Sequence, residues 1–115
     1  MLAVIPTPSL EYLSILLRGH ADSSSAAQFQ EALERAVTGH AAPRCVFDLG
    51  ELVYISSAGL RVLLAIAKRI RNAGGQLVLY GAQPAVLAVL ELAGFTRIMR
   101  VVPDLAAARE QLKSG

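Results

Sequence analysis

From residue 12 to residue 112 the chain repeats one rhythm: a short apolar run, a turn rich in Gly, Ser or Pro, then a stretch with helical periodicity. The runs are Tyr12–Arg18, Arg44-Cys-Val-Phe-Asp-Leu49, Gln76-Leu-Val-Leu-Tyr80 and Arg97-Ile-Met-Arg-Val101. Strands joined through helices pair in parallel, because a tight turn cannot reverse the chain twice. An earlier run, Leu2–Ile5, is set off from Tyr12 by Pro6-Thr-Pro-Ser9. It reads as the other arm of an antiparallel hairpin, and its prolines place it at a sheet edge. The expected order is β-β-α-β-α-β-α-β-α. This is one α/β domain over residues 1–115, with a mixed, mostly parallel sheet, an N-terminal β-hairpin and about four helices.

The helical segments carry their own signals. Ser25-Ala-Ala-Gln28 has capping-box spacing, and Phe29, Leu33, Ala36 and Val37 then share one face up to Gly39. A second helix is expected from the Ser56-Ser57 turn to about Ala73. Leu60, Leu63, Ala67 and Ile70 form its inner stripe, with Arg61, Ala65, Lys68 and Asn72 opposite. Gly74-Gly75 ends it. Pro84 suits the first turn of a third helix, and Pro103 opens a last one to about Leu112. Leu52–Ile55, after Gly50, reads as a separate short apolar run.

The chain of 115 residues is 54% hydrophobic, and its mean hydropathy of +0.48 is high for a water-soluble fold. Its uninterrupted apolar runs are short, like Val62–Ala67, far below the roughly 18 residues that cross a bilayer. The start, Met1-Leu-Ala-Val-Ile-Pro6, has no basic segment and is not a secretory signal. No membrane insertion and a cytoplasmic location are expected. The apolar surplus then belongs in strands covered on both faces, or under a partner.

The net charge of +2 is uneven: residues 1–50 hold three basic and five acidic side chains, residues 51–115 eight and four. With aromatics at 5% and no tryptophan, stacking platforms for nucleic acid are missing, so no direct nucleic-acid partner is expected. Cys45, the only cysteine, sits in an apolar run and reads as a core residue. His20 and His40 lie beside Gly19 and Gly39 without a second ligand at metal spacing, so neither metal nor other cofactor is expected.

Chemistry in such a sheet gathers where strands run into helices. Two of these turns are polar: Gly19-His-Ala-Asp22-Ser-Ser-Ser25 and Ser56-Ser57-Ala58-Gly59. A phosphate on Ser57 would meet the free N–H groups of a helix start and add about −1.5 to −2 charges to a neutral surface. Gly59 has no side chain to block another molecule. Equally, Ser56 or Ser57 merely caps the helix. No Gly-x-Ser-x-Gly elbow, serine–histidine–acid set, dinucleotide glycine pattern or phosphate loop is present. Asp22, Asp48 and Glu51 carry no magnesium motif, and Asp48 lacks the acidic pair of a receiver domain. No enzymatic activity is expected.

Phe47-Asp-Leu-Gly-Glu-Leu-Val-Tyr-Ile-Ser56-Ser57-Ala58-Gly59-Leu60-Arg-Val-Leu-Leu64 resembles the signature of STAS domains, specifically the bacterial anti-sigma factor antagonists. Gly19-His-Ala-Asp22, Gly74-Gly75-Gln-Leu-Val-Leu and Val89-Leu-Glu-Leu-Ala-Gly-Phe-Thr-Arg-Ile98 extend the similarity over about Tyr12 to Leu112. The resemblance implies a STAS-like fold and partner switching in control of transcription. An unphosphorylated antagonist binds an anti-sigma factor that is also a serine kinase; phosphorylation releases it, and a phosphatase resets it. By position the phosphoacceptor is Ser57, and Asp22 flanks the partner surface. Ser56 stands where the family commonly has Asp, and Ala58 where it has Ser or Thr. That loss of charge leaves Ser56 as an alternative acceptor. Asp22, Ser56, Ala58, Gly59 and Arg61 are the expected partner contacts. Other readings of the same residues are a STAS adaptor subunit of a membrane lipid-transport ABC complex and a small nucleotide- or lipid-binding domain.

Overall fold

The computed structural model describes residues 1–9, 11–39 and 43–114. The elements follow in the order β1 (Leu2–Pro8), β2 (Leu13–Ala21), α1 (Ala26–Val37), β3 (Arg44–Ile55), α2 (Ser57–Asn72), β4 (Gln76–Tyr80), α3 (Pro84–Leu92), α4 (Phe95–Ile98), β5 (Arg100–Val102) and α5 (Leu105–Ser114). They build one five-stranded sheet whose spatial order is the chain order, β1-β2-β3-β4-β5. β1 and β2 are antiparallel, and every later pair is parallel, as the sequence rhythm requires.

β1 is an edge strand but runs further than expected, through Pro6 and Pro8, which pair with Ile15 and Leu13. Two residues apart, both prolines point their missing N–H groups the same way, and at an edge that way is outward.

The order also decides where the helices lie. Each crossover advances the sheet by one strand in the same direction, and each is right-handed, so all land on one face. There α1, α2, α3 and α4 bury Phe29, Leu33, Leu63, Ile70, Leu90 and Phe95 against Ile15, Leu17, Phe47 and Leu79. The opposite face is covered only in part: α5 sets Ala108 and Leu112 on Val46 and Val78. The expectation of strands covered on both faces therefore holds for the centre of β3 and β4. On β2 the outer-face residues Ser14 and Leu16 stay half-buried and Arg18 is exposed.

Two elements differ from the sequence expectation. Arg44–Leu49 and Leu52–Ile55 form one strand, β3, which carries one extra residue relative to β2 at each of two register shifts, the first around Leu49-Gly50 and the second at Val53. The last strand starts at Arg100 rather than Arg97. Gly94, at φ +79°, stops α3 and restarts the chain as the single turn of α4. Phe95 and Met99, at either end of that turn, anchor it in the core at 5% and 9% exposure. In α2 the inner stripe is wider than expected: Gly59, Val62 and Ile66 join Leu63, Ala67 and Ile70, while Leu60 is only half-buried. Arg61, Ala65, Lys68 and Asn72 are exposed, as the periodicity required.

Candidate functional site

β2 and β3 end side by side, with Ala21 paired to Ile55, and each feeds one of the two polar turns. The backbone N–H of Ser56 donates to the carbonyl of Ala21 at 2.8 Å, which ties the turns together. Gly59 completes the junction. It is buried, and a Cβ there would lie 2.7 Å from the Ala21 oxygen and 2.9 Å from Ile55 Cγ1. The expectation that Gly59 opens the surface to a partner is thus corrected: its bare Cα faces inward and lets α2 approach β2. Ala58 is half-buried beside it.

The two serines divide the work at the start of α2. Ser56 is the N-cap, with extended backbone (φ −95°, ψ 177°), and its Oγ accepts from the Gly59 N–H at 3.3 Å. Ser57 is the first helical residue and is exposed. Capping accounts for Ser56 and leaves the Ser57 hydroxyl pointing to no such duty. The first turn of α2 contains no acidic side chain, so its positive dipole end is uncompensated within the helix.

Asp22 organises the neighbouring turn. Its Oδ1 accepts from Ser24 Oγ at 2.7 Å, from Ser24 N at 3.0 Å and from Ser25 N at 3.2 Å. The Ser24 hydroxyl, first of these donors, holds the carboxyl below its ordinary range. The capping box expected for Ser25 and Gln28 does not form. Ser25 Oγ donates to His20 O at 3.0 Å and accepts from Asp22 N at 3.0 Å, and Gln28 is exposed. Asp22 thus shapes the loop first, and only its outer oxygen is left to face another molecule.

Around this junction the surface is partly apolar. Val53 and Tyr54 are 52% and 49% exposed, and the Tyr54 ring lies 6.3 Å from that of His20 on β2. The sequence shows Leu52–Ile55 only as a short apolar run, with no sign that these two side chains reach solvent. The run is continuously apolar, and nothing in it marks where β3 outlasts its neighbour: β4 pairs only as far as Asp48. Arg18 and Glu51 form an ion pair at 2.7 Å on the same ladder. Arg61 lies one turn along α2 from Ser57, exposed and without an ion pair among the described residues.

The remaining candidates lie elsewhere. Cys45 is fully buried and its thiol is pushed up to about 12 by burial. Among the described residues no group of three His, Cys, Asp or Glu side chains could hold a metal ion, and no helix is long and apolar enough to cross a membrane. His40 lies outside the described residues.

The signature of the STAS domain matches residues 7–108, nearly the whole sheet with its crossover helices. The chain belongs to the STAS domain family. This STAS domain is 42% identical over 99 residues to a Bordetella bronchiseptica protein carrying the name anti-sigma factor antagonist BtrV, covering 86% of this chain and 84% of that one. It is 28% identical over 91 residues to the anti-sigma-B factor antagonist of Listeria monocytogenes, at 79% coverage of each. Its fold superposes on the crystal structure of an anti-sigma factor antagonist from Thermotoga maritima with a TM-score of 0.87, at 19% identity and coverage of 96% and 94%. In this family's frame the Ser56–Ser57 turn and the Asp22 turn form one continuous edge of the STAS domain.

Proposed function

We propose that this STAS domain is an anti-sigma factor antagonist, a binding module whose partner is an anti-sigma factor with serine kinase activity. The observation that carries the reading is the division of labour between Ser56 and Ser57. The first caps α2, while the second presents its hydroxyl at an exposed helix start, beside the exposed Val53 and Tyr54. The relatives named as anti-sigma factor antagonists support the partner class.

In the unphosphorylated state the partner docks over Ser57, Ala58, Val53 and Tyr54, with the outer edge of Asp22 and the Arg61 guanidinium as polar contacts. Ser56 and Gly59 shape this surface from beneath. The kinase then transfers a phosphoryl group. Ser57 Oγ bonds to the γ-phosphorus of a nucleoside triphosphate, the bond to the β-phosphate oxygen breaks, and the hydroxyl proton passes to a base on the kinase. The dianion needs hydration that the closed interface denies it, and the complex separates. A phosphatase restores the serine by adding water across the phosphorus–oxygen bond, releasing inorganic phosphate.

The test is calorimetric titration of the domain into its kinase-type anti-sigma factor. Ser57→Ala retains wild-type affinity within about threefold, and Ser57→Asp loses at least about tenfold, equivalent to about 1.4 kcal/mol. Equal binding by the two variants overturns the switch, and absence of binding by the wild type overturns the partner class.

A further inference from the structure

The edge that carries Ser57 also carries an unused cation. Ser57 and Arg61 stand four residues apart on α2, both exposed, so their side chains rise on the same face, with Cβ atoms about 5–6 Å apart. The other arginines of β2 and α2 are engaged. Arg18 holds Glu51 at 2.7 Å, Arg69 reaches Glu34 at 3.7 Å and Thr38 Oγ1 at 3.2 Å on α1, and Arg71 donates to the carbonyl of Ile98 at 3.4 Å. Lys68 shares the Arg61 stripe but lies almost two turns further from Ser57. The charged and titratable groups nearest this corner are Asp22 on the β2–α1 turn, His20 on β2 and Glu51 and Tyr54 on β3. The Asp22 carboxylate is occupied by Ser24 and Ser25, and Glu51 by Arg18.

We infer that phosphorylated Ser57 is captured within the chain by Arg61. The inference rests on Ser57 being the phosphoacceptor. A phosphate offers three acceptor oxygens and a guanidinium a fork of donors, a match that permits two parallel hydrogen bonds. The spacing and direction, anion first and cation four residues later, is the favourable one on a helix, and the free N–H groups of the first turn draw the phosphate toward the same place.

Capture makes the switch act twice. Phosphorylation adds the repelling dianion, and it also withdraws a cation that a partner's carboxylate meets at this end of α2. A surface that was +1 at Arg61 becomes a paired group of net negative charge. The lone Lys68 is then the remaining cation of the outer stripe. This differs from a switch in which the phosphate acts only by its bulk and charge toward the partner, because here the chain's own residue is consumed.

The experiment is a phosphorus NMR titration of the full chain with phosphoserine incorporated at position 57 during synthesis, so that neither kinase nor partner is needed. In the wild type the second phosphate pKa lies a few tenths of a unit below its value in Arg61→Gln. Arg61→Lys keeps part of that displacement, Lys68→Gln leaves it intact, and raising the salt erodes it. Identical titrations for wild type and Arg61→Gln overturn the capture. The proposed function fails separately, if the same phosphorylated chain binds the anti-sigma factor as tightly as the unmodified one. Arg61→Gln is exposed at a helix position that tolerates it, so a folded protein is available for every arm.

Discussion

Gly59 in the first turn of α2 lies against the carbonyl oxygen of Ala21, the last residue of β2, so closely that a Cβ would stand 2.7 Å from it. The same oxygen accepts the Ser56 N–H at 2.8 Å. One backbone carbonyl therefore sets the height of α2 above the sheet and the position of the serine turn. Gly59→Ala pushes the helix start away from both. Overpacking costs about 1–3 kcal/mol, offset by about 1 kcal/mol from the better helix propensity of alanine. The expected outcome is a net loss of up to about 2 kcal/mol in urea unfolding, together with weaker partner binding despite an unchanged Ser57.

The adjacent serines should separate stability from switching. Ser56→Ala removes the Gly59 N–H acceptor and costs about 1 kcal/mol of stability. Ser57→Ala, at an exposed first-turn position, stays within about 0.5 kcal/mol of wild type. Ser57→Asp should gain about 0.3–1 kcal/mol from the uncompensated helix dipole while binding is lost. Thermal unfolding of the three variants checks this. A destabilised Ser57→Asp would attribute its lost binding to misfolding.

Asp22 should confer an acid-side stability slope. Its carboxyl is held below the ordinary value of 3.8, first by the Ser24 hydroxyl and then by the backbone N–H groups of Ser25 and Ser24. A proton therefore leaves it more readily in the folded chain than in the unfolded one. Its contribution is full above pH 3.8 and disappears as pH falls through the lower folded value. Urea midpoints of wild type and Asp22→Asn should differ at pH 6 and converge towards pH 3. A constant gap would remove the carboxylate from the stability of this turn.

Cys45 should be silent. With the thiol fully buried and its pKa at about 12, an aromatic disulfide reagent at pH 8 finds almost no thiolate to attack. Labelling should proceed at the rate of unfolding and accelerate in urea in step with the loss of helical circular dichroism. Immediate labelling of the native protein would contradict the packing around β3.

Much of this was legible in the residues, and the limits have physical causes. The alternation of apolar runs with helical stripes showed the strand–helix order, and Pro6 and Pro8 marked β1 as an edge, because both are local properties. Arg97 and Ile98 misled: they read as the start of the last strand but belong to a helical turn, because Phe95 and Met99 have a core to enter, which no local propensity reports. Ser56 and Ser57 were indistinguishable as caps in the sequence, since one residue of register decides which hydroxyl reaches Gly59. Gly59 itself was read outward, towards a partner, because the Ala21 carbonyl that excludes its side chain is 38 residues earlier in the chain. The exposure of Val53 and Tyr54 is not legible in the sequence for a similar reason: whether an apolar strand end is covered depends on where its neighbour stops.

That neighbour, β4, stops opposite Asp48, whereas β3 continues to Ile55. The serine turn therefore stands on a ledge with β2 at its side and no fourth strand behind it. Opening this corner breaks one ladder and the first turn of α2, and leaves the Val46–Val78 centre of the sheet closed. Amide exchange there should report a smaller opening free energy than that of the whole domain. A partner seated on the ledge raises that local free energy by its own binding, and a phosphate that evicts it returns the corner to its looser state. The long strand thus sets the recognition edge beyond the centre of the sheet, where a partner can be gained or lost without the fold itself being at stake.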